Sequence, residues 1–257
     1  MRLITLSDLA CAALILGVQA ALVAGAALGI WPTSTTFRLL NPQHLPAALT
    51  AVAMALGLFT APAFAHTRRR DGGEPTGEDA AATIERRHRL ARALFFAAWQ
   101  AAVLGLFLLV ASRLEPVDTL AIVRTMTVLA SAVALGILLA ARWPSAYAGL
   151  VFLWAVALPL SCYLLTEIFL DLPAGAKGWN ASRPDGAGFY TLIAASLKAS
   201  PCTAAVGALK GSLPGLKEFG WSATGLFVAG TSIAAVLIHR WKPRSAPAQH
   251  AVASPGI

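Results

Sequence analysis

The stretch TLAIVRTMTVLASAVALGILLAA, residues 119–141, holds a single charge, Arg124, in 23 residues. A helix needs roughly 20 apolar residues to cross a hydrocarbon core of about 30 Å. Lipid offers no partners for backbone polar groups, so such a run must satisfy them within itself, as a helix. Five further stretches of this kind lie at about 9–31, 44–66, 93–112, 146–170 and 221–239. The pattern predicts an all-α polytopic membrane protein with six transmembrane helices. Composition agrees: of 257 residues, 57% are hydrophobic and 12% charged, where a soluble domain carries about 25% charged residues. The mean hydropathy of +0.68 excludes a water-soluble globule.

The formal net charge is +8. The basic residues cluster beside the apolar spans, where anionic lipid headgroups and insertion bias account for them, so no nucleic-acid partner is expected. Cys11, Cys162 and Cys202 are far apart, without the spacing of a zinc site or a disulfide framework. They read as small packing residues. The run 9–31 after Arg2 is longer than a signal-peptide core and reads as a retained first helix. Ala63-Phe64-Ala65-His66 mimics a cleavage site but reads as a helix end. Pro32, Pro46, Pro116 and Pro144 fall at span ends, whereas Pro159 lies inside the fifth span and is expected to kink it.

Arginine placement sets the orientation. Arg68, Arg69, Arg70, Arg86, Arg87, Arg89 and Arg92 lie between the second and third spans, against only Arg38 and Arg113 in the neighbouring connections. The arginine-rich loop, 67–92, is therefore expected in the cytoplasm. Counting outward from it places Arg2, Arg142, Arg240, Lys242 and Arg244 inside, with both termini cytoplasmic. Residues 1–244 form the six-helix transmembrane domain in this reading, and 245–257 a flexible cytoplasmic tail. The protein is expected in a cell (inner) membrane, in contact with its lipids.

One long segment, 171–220, is left on the outer side. Its first part is rich in turn residues, but 189–209 is apolar and broken at Pro201. Phe189, Tyr190, Leu192, Ile193 and Leu197, then Val206 and Leu209, expose too much apolar surface for a solvated loop. Each half is too short to span, so the segment is expected to form two short re-entrant helices, packed against the fifth and sixth spans. Lys198 and Lys210 are expected to mark where each returns to the headgroups. In the cytoplasmic loop, Thr76-Gly77-Glu78-Asp79 is a weak capping box. It would start a helix running through Ile84 and Leu90 into the third span, its charged part lying at the membrane surface.

This layout resembles the permease subunits of type-2 ABC exporters: six spans, termini inside, a basic segment before the third span and a broken apolar segment outside before the last. The sequence from Ser200-Pro201 through Trp221 to His239-Arg240-Trp241-Lys242 is similar to the last third of such permeases. The resemblance implies that 76–92 is a coupling helix seated on a separate ATPase subunit, with Thr76, Ile84, Arg87 and Leu90 as its residues. It also implies that 189–209 is an outer gate built on Phe189, Tyr190, Leu197 and Pro201. A transport path needs two membrane halves, so a homodimer or a paired homologous permease follows. The family's Glu-Gly-Thr motif before the coupling helix is missing; Arg70-Asp71-Gly72-Gly73-Glu74-Pro75-Thr76 stands there. No Gly-x-x-x-x-Gly-Lys-Ser/Thr loop occurs, so ATP hydrolysis would belong to the other chain.

Intramembrane ionisable groups are costly and often functional. Arg124 and Glu167 fall at comparable depth near the outer ends of the fourth and fifth spans, where they would either pair or snorkel to the headgroups. Gln19 and Gln100 are deeper. Of the histidines, only His66 and His239 are placed to share a haem, the mark of the alternative reading: a non-catalytic subunit of a larger membrane or redox complex. No Ser/His/Asp set, carboxylate pair or metal spacing supports catalysis, so neither an enzyme, a cofactor nor a metal is expected.

Overall fold

The computed structural model describes residues 6–28, 44–65, 78–157, 198–211 and 219–240. Among these the fold is entirely helical, without strands. The helices are α1 (Leu6–Ala27), α2 (Leu45–Ala65), α3 (Glu78–Ala111), α4 (Thr119–Arg142), α5 (Tyr147–Phe152, continued by a π-helical turn, Leu153–Ala157), α6 (Pro201–Lys210) and α7 (Trp221–Arg240). Five of them, α1, α2, α3, α4 and α7, are long and apolar enough to cross a membrane. Leu94, Phe95, Leu106, Leu109, Leu226, Ile233 and Leu237 point outward and are more than half exposed. An apolar exterior of that extent belongs in lipid, and the chain is a multi-pass membrane protein. The expected fifth span is represented by α5 and its π turn; its remainder, with Pro159, lies outside the described residues.

α4 is the centre of the bundle, packed against α2, α3, α6 and α7. Of its most apolar window 61% is buried, against 22% for α1 and for α7 at the periphery. Met54, Leu58, Leu104, Leu108, Leu129 and Ile137 fill the interior. Small residues set the approach. A Cβ on Gly57 of α2 would stand 2.5 Å from Gln100 Nε2 of α3 and 2.7 Å from Val133 Cγ2 of α4, so glycine there lets three helices meet.

Pro62 lies inside α2 and has no N–H for the carbonyl of Leu58, four residues earlier. The Tyr147 hydroxyl, from α5, donates to that carbonyl at 2.5 Å. Gly136 of α4 makes room for the arrangement: its Cβ would lie 3.0 Å from Leu58 Cδ2 and 3.3 Å from the Tyr147 oxygen.

The charged segment before the third span runs into it as one helix, as its sequence leads us to expect. α3 is unbroken from Glu78 to Ala111, 34 residues, or about 51 Å at 1.5 Å per residue. Ala80, Ala81 and Ala82 favour helix, and no glycine or proline intervenes before Gly105, so nothing in the sequence ends the helix where lipid begins. The segment is an extension of the span. Arg92, at the junction, donates to both carboxylate oxygens of Asp8 in α1 at 2.7 and 2.6 Å.

Candidate functional site

The short helix α6 is the element that departs from a plain bundle. Ser200 precedes it in extended conformation, Pro201 occupies its first turn, and Gly211 ends it with φ 70°. Proline fits that first turn because its missing N–H has no helical partner there, and glycine adopts the left-handed end without strain. Pro201, Ala204, Ala205, Gly207, Ala208 and Leu209 are buried. α6 packs chiefly against α2 and α4 and only marginally against α5 and α7. Packing of this half of the segment against the rest of the expected fifth span, 158–170, lies outside the described residues. Its face of alanine and glycine is what allows so close a fit between two spans.

The ends of α6 lie at different levels of the bundle. Near its C-terminus, Arg124 Nε donates to the Ala208 carbonyl at 3.2 Å. A guanidinium beside the last carbonyls satisfies an acceptor the helix leaves open and offsets the negative end of its dipole. The same guanidinium stands 5.9 Å from the centre of the Trp221 ring, at the start of α7. Arg124 thus joins α4, α6 and α7. Glu167, the other half of the expected pair, lies outside the described residues.

At the opposite end, Trp154 Nε1 donates to the Ala199 carbonyl at 2.7 Å. Trp154 is on the π turn, seven residues into the helical segment that starts at Tyr147, and its ring stacks on Phe227 of α7 at 6.4 Å. Leu135, which lines a cleft with Trp154 and Lys198, is likewise seven residues from the end of α4. Seven residues rise about 10 Å. The N-terminus of α6 therefore lies deep in the bundle, and Lys198 lies with it. This corrects the placement of Lys198 at the headgroups, because the chain enters α6 from its deep end. Lys210 is at the opposite, terminal level, beside His44 and Asp118 at the starts of α2 and α4.

Two clefts flank α6. The one at the Lys210 end, about 690 Å³, is lined by His44, Glu115, Asp118 and Lys210 among others and is a mixed-charge vestibule. Asp118 there accepts from the Leu120 amide at 3.2 Å and caps α4. The deep cleft, about 560 Å³, has apolar walls, and Lys198 is the only charge among its described lining residues.

The other anticipated residues separate. Arg87 is exposed, while Leu90 is partly buried and packs against the core of the bundle. Ile84 falls within α3, Pro201 opens α6, and Thr76, Phe189, Tyr190 and Leu197 lie outside the described residues. Gln100 is buried, and its amide donates to the Ala53 carbonyl at 2.9 Å. Gln19 is fully buried, and neither of its amide atoms is bonded among the described residues. His239 is in the last turn of α7, and His66 lies outside the described residues. Among the described residues no group of three or more His, Cys, Asp or Glu is placed to hold a metal.

The sequence reading passed over Asp8, Tyr147 and Trp154. Asp8 had a signal: an acid beside an apolar run with an arginine opening another. Comparison with known proteins gives no matching family model, no matching curated protein and no matching solved structure.

Proposed function

We propose that the chain is the membrane-spanning permease subunit of an ABC-type exporter, driven by a separate ATPase chain. The reading places it in a cell (inner) membrane with six spans and both termini cytoplasmic. It acts as a homodimer or with a homologous permease. The observation that carries the proposal is α6. A ten-residue helix, wedged between α2 and α4, starts at the level of Trp154 and ends at the level of Lys210. A static bundle has no need of a helix about 15 Å long that covers half a membrane. A gate closing one side of a path does, and 189–209 is its segment in this reading. Arg124, bonded to the end of α6 and stacked near Trp221, is the latch.

The extension of α3 beyond the membrane supplies the coupling element. Leu90 is engaged in the bundle, so contacts with the ATPase fall to exposed positions such as Arg87 and to the turns before it. Purification of the tagged chain from its native membrane tests the proposal. The expected result is a co-purifying ATPase chain whose release follows Arg87→Glu. A haem Soret band with no ATPase would instead identify a redox-complex subunit.

A further inference from the structure

We propose that the deep cleft between α4, α5 and α7 binds a hydrophobic organic anion, its apolar body against α7 and its anionic group on the Lys198 ammonium. The cleft's volume, about 560 Å³, falls within the roughly 300–1,000 Å³ of pockets that hold small molecules. Its walls include Leu135, Trp154, Phe227, Gly230 and Ala234, and the Thr231 hydroxyl among them is engaged by backbone carbonyls, so an apolar body is required.

The sign of the polar group follows from two features at one end. Lys198 is partly buried and lines the cleft, and no carboxylate among the described residues pairs with it. An ammonium so far from the ends of the bundle is costly unless an anion meets it. α6 begins three residues later, at Pro201, and the positive end of its dipole favours negative charge nearby. Trp154 stands on a π-helical turn, a distortion of the helix often found at functional sites. Leu226, in the lining, is 74% exposed, so the cleft opens sideways toward lipid, from which an amphiphile would enter.

The site depends on the membrane setting of the bundle and not on an ATPase, and binding is measured with no nucleotide and no partner chain. Failure to find an ATPase therefore leaves it standing. A long-chain fatty acid brominated along its chain quenches tryptophan on contact. It is titrated into phosphatidylcholine nanodiscs holding the full chain, beside its neutral methyl ester and beside brominated phosphatidylglycerol. The signal from Trp154 is the difference between the native chain and Trp154→Phe.

We expect saturable quenching by the acid at a concentration about tenfold below that of the ester, the ratio of a single added ion pair. Lys198→Gln should abolish that preference and Lys198→Arg should keep it, which separates charge recognition from misfolding. A Cβ on Gly230 meets nothing within 4 Å, so Gly230→Phe fills the cleft without a backbone clash and should remove saturable quenching by both probes. Equal saturable quenching by brominated phosphatidylglycerol assigns the site to an anionic lipid, and quenching by the acid alone assigns it to a free organic acid. Equal affinity for acid and ester in the native chain, or saturable quenching that survives Gly230→Phe, overturns the proposal.

Discussion

The Tyr147 hydroxyl is hydrogen-bonded to the carbonyl of Leu58, which the proline at position 62 leaves without its helical amide. One side chain from α5 repairs the defect that a proline makes in α2. In lipid no water is at hand to do so, and an open carbonyl costs free energy. Tyr147→Phe should therefore lower stability by about 0.6–1.7 kcal/mol, the range of hydrogen bonds inside membrane bundles. Pro62→Ala restores an amide at position 62, and in that background Tyr147→Phe should be close to neutral. Unfolding in mixed micelles, run as a double-mutant cycle, measures the coupling, and additive effects would show that the tyrosine does not serve the proline's vacancy.

Gly57 makes a sharper demand on volume. A methyl group there would overlap the Gln100 amide and Val133 at once, with neighbours on α3 and α4. Gly57→Ala should cost about 1–3 kcal/mol, as overpacking in a filled core does. Gly17, where a Cβ would meet nothing within 4 Å, provides the control, and Gly17→Ala should be neutral or slightly stabilising. The same unfolding assay reads both, and equal effects would refute the packing argument.

Arg124 fixes the end of α6 through the Ala208 carbonyl and Trp221. Arg124→Gln should raise amide hydrogen exchange in Pro201–Lys210 by about tenfold, as the loss of about 1.4 kcal/mol of local stability would. Exchange in the core of α4 should stay as it is. Arg124→Lys should protect only in part, because an ammonium has no planar face to lay over the tryptophan. Unchanged exchange in α6 would mean that its burial between α2 and α4 suffices to hold it.

The spans were legible because length and hydropathy act on the chain one segment at a time. The run 119–141 became Thr119–Arg142, 44–66 became Leu45–Ala65, and 221–239 became Trp221–Arg240. The first span, expected at 9–31, is Leu6–Ala27, because an apolar run marks where hydropathy begins and not where the helix does, and the helix takes in Asp8. Asp8 is tolerated because Arg92 meets it, and that partner lies 84 residues away. Such pairings depend on which helix faces which and at what register. Arg124 illustrates the limit: its depth near the start of α4 was readable, but its acceptor is a backbone carbonyl that no residue type announces. The level of Lys198 was misread for the same reason, as the direction in which α6 crosses the bundle follows from packing and not from local composition.

The Asp8 and Arg92 pair should respond asymmetrically to removal of its members. The carboxylate is 0% exposed and the guanidinium side chain 11%. Arg92→Leu leaves a fully buried carboxylate without this guanidinium and should cost about 3–5 kcal/mol. Asp8→Leu leaves an arginine whose long stem can swing its head toward water, so its cost should be smaller, about 1–2 kcal/mol. The double replacement by leucine puts two apolar side chains at an interface between α1 and α3 and should recover most of the loss. Micelle unfolding of the three variants reads the order directly. A double variant as unstable as Arg92→Leu alone would show that each residue holds further partners worth more than the pair, and that the junction of α1 with α3 is a wider polar network.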